Sequence, residues 1–139
     1  MEFQVLGTPV GKHRPRFSTV HGYAQAIKQK EDVYYENLVK LCFSQAKPEG
    51  YDLYEKPLKV EIRAFFDVPK AFSKKRTNEA LEGCISPLKK PDADNIAKII
   101  CDALNGVAYK DDAQIVELVV RKCYAEMPSV SVIVEEFRT

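Results

Sequence analysis

Apolar and polar positions alternate most sharply between Leu58 and Val68, where Leu58, Val60, Ile62, Ala64 and Phe66 interleave with Lys59, Glu61, Arg63 and Phe65. A period of two puts each set on its own face, which predicts a strand with one buried side, entered through Pro57. Shorter strands are predicted over Glu2–Leu6, Gln114–Tyr124 and Ser129–Phe137. Val116, Leu118 and Val120 share one face of the second of these, and Val130, Val132 and Val134 one face of the third, so both sets are expected in the core. The short link Glu126-Met127-Pro128 predicts that these two strands pair as an antiparallel hairpin.

Helical spacing runs over Lys30–Lys47, with Val33, Leu38, Leu41, Cys42 and Ala46 expected inward, Tyr34 and Tyr35 at the margin, and Pro48 and Gly50 ending the run. A short helix is predicted within 69–91, capped by Ser73 and packed through Ala80-Leu81. The next helix reads from Asp94, placed as its N-cap, to Asn105, with Ile96, Ile99, Ile100, Ala103 and Leu104 as its stripe. Gly106 supplies the left-handed residue that ends it. Residues 7–29, broken by Gly7, Pro9, Gly11, Pro15 and Gly22, read as a long connection. The element order predicts one α+β domain over 1–139, a small mixed sheet of about four strands with helices packed on one face.

Composition changes this picture little. With 139 residues, 45% hydrophobic and 29% charged, the chain is an ordinary globular sequence able to bury a core. A net charge of +1 carries no global signal for nucleic acid. The distribution says more. Lys12, Arg14, Arg16 and Lys28 lie in a stretch, Phe3–Gln29, without an acid, and Lys70, Lys74, Lys75, Arg76, Lys89 and Lys90 face only Glu79 and Glu82. Cys42, Cys84, Cys101 and Cys123 are scattered without a C-x-x-C pair, as expected in a reducing compartment, with Cys42 and Cys101 read as core thiols. His13 and His21 lack partners at ligand spacing and receive no chemistry. Neither a leader segment nor a run long enough to span a membrane is read from the sequence, so a cytoplasmic protein is expected.

The chemistry concentrates between Leu88 and Val116. Asp92 and Asp94 stand at a helix start, Asp94, Lys98 and Asp102 recur every four residues along one edge of that helix, and Asp111-Asp112 opens the following strand. Singly, each has an ordinary structural reading: a cap, a surface ion pair, a solvated turn. Together, carboxylates from a helix start and a strand start with a lysine one turn along suit a hard cation and a phosphodiester.

The strings PDADNIAKIICDALNG and YKDDAQIVEL resemble the RusA-type Holliday-junction resolvases, the crossover junction endodeoxyribonucleases. The shared pattern is D-x-D-N-x-x-K, then D-A-L, then D-D-x-Q; the basic element PVGKHRPRF, Pro9–Phe17, is similar to one found in many members. The resemblance implies catalytic metal-binding carboxylates at Asp92, Asp94 and Asp112 and a catalytic lysine at Lys98, with Asp111 not separable from its neighbour by sequence. It implies a Mg²⁺-dependent (Mn²⁺ as an alternative) endonuclease that cuts four-way junctions by paired symmetric nicks in recombination and repair, as a homodimer. Lys12, Arg14, Arg16, Lys74, Lys75, Arg76, Lys89 and Lys90 are the expected DNA contacts. Two other readings stay open: a non-catalytic nucleic-acid-binding module of the same fold, and a nuclease for other branched DNA.

Overall fold

The computed structural model describes residues 1–13, 16–20, 23–27 and 30–139, the segments 16–20 and 23–27 through their backbone alone. The elements are β1 (Glu2–Leu6), β2 (Arg16–Val20), β3 (Tyr23–Ile27), α1 (Lys30–Ala46), β4 (Leu58–Asp67), α2 (Lys74–Leu81), α3 (Ala93–Leu104), β5 (Ile115–Ala125) and β6 (Ser129–Glu136), with one 3₁₀ turn, Asp112–Gln114, ahead of β5. The α+β expectation holds: four strands form a mixed sheet in the order β1-β6-β4-β5, and helices pack on one face.

β4 carries the buried row where alternation predicts it. Leu58, Val60, Ile62 and Ala64 are fully buried and Phe66 nearly so, with Val130, Val132 and Val134 of β6 beside them. The stripe Ile96, Ile99, Ile100, Ala103 and Leu104 of α3 closes the same core. Apolar burial on this scale contributes roughly 25 cal/mol per Å² removed from water and is the main force holding the two layers together. Ser73 caps α2 by accepting from the Arg76 N–H at 3.1 Å, and Gly106 takes φ 77° just beyond α3.

Several expectations are corrected. β5 and β6 do not form a hairpin, because β4 lies between them, antiparallel to β6 and parallel to β5. The parallel pair is reached through α2 and α3, and residues 126–128 carry the chain across the end of β4. Being at the sheet edge, β5 is only partly covered by helices, so Val116 and Leu118 are 56% and 45% exposed and Val120 is half-buried, not core. Residues 7–29 are no plain connection: β2 and β3 pair antiparallel, Arg16 opposite Ile27 and Val20 opposite Tyr23. β-Branched and aromatic residues there favour strands despite the flanking breakers.

Two further corrections concern helices. The inner face of α1 is Asp32, Tyr35, Glu36, Val39 and Phe43, while Val33, Tyr34, Leu41 and Ala46 are exposed and Leu38 and Cys42 half-buried. Two carboxylates can face inward because hydrogen-bond donors meet them there, as described below. Asp92, not Asp94, is the N-cap of α3, without a side-chain capping bond. Asp94 therefore stands inside the first turn, where a negative charge is favoured by the helix dipole.

Candidate active site

α3 is held at both ends, and both attachments shape the site. At its start, the backbone N–H of Lys12 donates to the Asn95 carbonyl at 2.9 Å. Gly11 passes so close that a Cβ there would lie 2.7 Å from Pro91 Cβ and 3.1 Å from Asn95 Cβ. The Lys12 ammonium hydrogen-bonds Glu36 and lies 3.3 Å from Asp102. Burial opposes the charge on Lys12, but the two carboxylates outweigh it and raise its pKa. The neighbouring His13 donates its backbone N–H to Asp32 at 3.0 Å, and its Nδ1 lies 2.6 Å from the other oxygen of that buried carboxylate. An acidic pair on the inner face of α1 thus grips consecutive residues of the N-terminal segment and ties them to α3.

At the far end, Asn105 Oδ1 accepts the Asp112 N–H at 2.9 Å. The buried Tyr109 hydroxyl donates to the Cys101 carbonyl at 2.7 Å. Gln114 completes the frame: its amide donates to the carbonyls of Tyr54 and Lys56 at 2.8 and 2.9 Å, and its Oε1 accepts the Asp111 N–H at 2.9 Å. Asp111 in turn accepts from the Ala113 N–H, closing a capping box. So the two adjacent aspartates are distinguished by geometry: Asp111 is committed to the turn, and Asp112 faces α3.

The result is a cleft of about 570 Å³ lined by Asp94, Lys98, Asp102 and Asp112 above an apolar floor of Ala97, Cys101, Leu118 and Val120. Lys98 makes no ion pair among the described residues, so its ammonium is free toward the cleft. Acidic crowding is visible in the protonation equilibria. Asp112 is pushed up, first by its hydrogen bond with Asp111, then by burial and the charges of Asp111 and Asp102. Asp111 is held low, first by the Ala113 N–H. Burial pushes the Cys101 thiol up to about 11.

Asp92 lines a second cleft, of about 540 Å³, on the other side of the first turn of α3, together with Gly11, Lys12, His13, Lys90 and Asn95. Asp94 and Asp112 therefore share one cleft, and Asp92 stands next door. Among the described residues no three His, Cys, Asp or Glu side chains form a ready-made metal cage. The donor chemistry nevertheless fits Mg²⁺, which is commonly held by one or two carboxylates plus water and substrate phosphate and not by an all-protein cage.

Of the expected DNA contacts, Lys74, Lys75 and Arg76 are exposed on α2, and Lys89 and Lys90 on the loop before the cis Lys90–Pro91 peptide. Lys12 is engaged by Glu36 and Asp102. Arg14 and the Arg16 side chain lie outside the described residues. Sequence reading assigned no site role to three residues of this region. Asp102 faces the cleft, a position its i, i+4, i+8 spacing with Asp94 and Lys98 already allowed. Asp32 and Glu36 carried no signal, since a charge run on a helix ordinarily reads as its solvated face. No helix among the described residues is long and apolar enough to cross a membrane.

Comparison with known proteins adds two findings. A family model described as Endodeoxyribonuclease RusA matches residues 7–135. A protein of Bacillus subtilis (strain 168), named Uncharacterized protein YqaN, is 37% identical over 138 residues, spanning 98% of this chain and 96% of that protein.

Proposed function

The chain belongs to the RusA endodeoxyribonuclease family, and we propose that it is a Mg²⁺-dependent nuclease that resolves four-way DNA junctions in the cytoplasm. The observation that carries this reading is the cleft in which Asp94, Asp102 and Asp112 stand around Lys98, a lysine without an ion pair among the described residues. Asp94 and Asp112 would hold the metal, and Asp92, in the adjoining cleft, would be the third carboxylate of the set. Bound there, the ion supplies neutralisation of the phosphodiester and an activated water.

The remaining work falls to the chain's own groups. Lys98 offers three N–H donors to the non-bridging oxygens, which gain charge as the bond breaks. The positive dipole end of α3 lies at its start, beside Asp92 and Asp94, and favours the charge of both carboxylates. Leu118, Val120, Ala97 and Cys101 keep the floor apolar, which strengthens every electrostatic contact above it. The Lys12 bridge among Glu36, Asp102 and α3 holds the helix against α1, so the cleft is pre-set before substrate arrives. A junction with two-fold symmetry needs two copies of such a site, and a C₂ homodimer supplies them.

The test is cleavage of a synthetic four-way junction beside a flap and a linear duplex, in Mg²⁺, in Mn²⁺ and in chelator. Symmetric nicks on the junction that need the metal and vanish in Asp94→Asn, while junction binding persists, are the expected result. Preferential cutting of the flap would move the substrate to other branched DNA. Binding without cutting by the wild-type protein would leave a non-catalytic DNA-binding module.

A further inference from the structure

The cleft does not end at Val120. In the parallel register β5 places Leu118, Val120, Lys122 and Tyr124 beside Val60, Ile62, Ala64 and Phe66, hence on one face, the side on which the helices lie. Leu118 and Val120 are the floor of the acidic cleft; Lys122 is the next residue in the row, ~7 Å further along the strand. Its ammonium donates to the carbonyl of Lys89, in the loop that leads into Asp92. Both Lys122 and Lys89 lie against the Phe66 ring, 5.3 and 5.7 Å from its centroid. Beyond them Tyr124 meets Phe72 edge to face at 5.9 Å, and Arg76 of α2 covers Phe72 at 4.5 Å. Acids thus occupy one end of a continuous row, and cations braced on aromatic rings the other.

These cations, like Lys47 over the Tyr51 ring at 5.8 Å, are of the kind that rests on a ring without a carboxylate partner among the described residues. Elsewhere Lys12, Lys56, Lys59, Arg63, Lys110 and Arg138 each lie within 4 Å of a carboxylate. Among the described residues, Arg76, Lys89 and Lys122 have no carboxylate that close and rest on rings instead. A ring holds the stem of such a side chain in place but does not neutralise its charge, so the head remains available to an anion at little further cost in ordering.

We propose that the row Lys122, Lys89 and Arg76 is a phosphate lane, which takes the backbone of the cleaved DNA strand as it leaves the carboxylate cleft and runs along β5 toward α2. Lys122 meets the phosphate one or two nucleotides from the cut bond, and Arg76 a phosphate further out. This rests on the DNA-cleavage reading and adds to it a direction for the strand and Lys122 as a contact. The competing role is structural: Lys122 stapling the loop through the Lys89 carbonyl.

Junction binding measured across a salt series separates the two. Lys122→Gln is expected to weaken binding about tenfold and to make the log–log salt slope shallower by roughly 0.9, the increment for one phosphate no longer neutralised, while Lys122→Arg keeps both. Lys89→Gln, which retains its carbonyl and hence the staple, is expected to do the same as Lys122→Gln. A methylphosphonate at the first or second phosphate beyond the cut should cost the wild type about the same tenfold and cost Lys122→Gln nothing more. Wild-type affinity and slope in both glutamine variants, or an equal methylphosphonate penalty in Lys122→Gln, would overturn the lane while leaving the nuclease reading intact. A wild-type protein that neither binds nor cuts branched DNA would remove both.

Discussion

Gly11→Ala isolates the contact between the N-terminal segment and the start of α3. Gly11 does not occupy the left-handed backbone region, so alanine meets no backbone strain; the whole effect comes from a Cβ placed 2.7 Å from Pro91 Cβ and 3.1 Å from Asn95 Cβ. Pro91 Cβ is part of a ring and Asn95 Cβ is fixed to a helix, so neither can swing aside and a segment must shift. Overpacking of this kind costs ~1–3 kcal/mol. Against it, replacing glycine stiffens the unfolded chain and stabilises by ~0.4–1 kcal/mol. The packing penalty at least matches this gain, and the net destabilisation of about 0–2.6 kcal/mol corresponds to a fall in Tm of up to roughly 12 °C for a chain of this size.

The displaced residue, Pro91, directly precedes Asp92, and Asn95 follows Asp94, so a shift there also moves the first turn of the site. Displacements approaching ~1 Å can cost ~100-fold in rate, and a few tenths of an ångström should cost about tenfold. Thermal unfolding and single-turnover junction cleavage on the same preparation read both effects. Gly7→Ala is the control: Gly7 has φ 109° and open space around it, so alanine there costs backbone strain but leaves the site alone. If Gly11→Ala matches wild type in both Tm and rate, the close approach does not hold α3 in position and the reasoning fails.

Three further outcomes are expected. Asp112→Asn should abolish cleavage, whereas Asp111→Asn should retain it, because an asparagine Oδ1 still accepts from the Ala113 N–H; equal falls in the two measured rates would refute the division of labour. Lys98→Ala should lower the single-turnover rate about 100-fold with Tm within ~1 °C of wild type, since no ion pair breaks with it, and a large Tm change with normal turnover would make it a structural residue. With its thiol raised to about 11 and buried, Cys101 should resist iodoacetamide at about pH 8 while exposed Cys84 reacts, as peptide mass spectrometry would show; comparable labelling in the native state would contradict its burial.

Much of the fold was legible in local pattern. The buried row of β4, the stripe of α3, the Ser73 cap and the Gly106 terminus follow from periodicity and from the conformational range of single residues, which act within a few positions of chain. The acidic motif was legible as a spacing, and its resemblance to one family led to the family that the comparison supports. The position of β4 between β5 and β6 was not, since a link of residues 126–128 serves a hairpin and a crossing alike, and only the competition among all strands for partners decides which forms. That competition left β5 at the edge, which is why Leu118 and Val120 floor a cleft instead of filling a core. The turned face of α1 has the same origin. Asp32 and Glu36 look like surface charges until Lys12 and His13, some twenty residues away in sequence, arrive to compensate them, and a buried carboxylate is tolerable only where such a partner is in reach. Sequence thus determined which residues could serve the chemistry; tertiary packing decided which cleft each one faces and why Asp112, not Asp111, is turned toward Lys98.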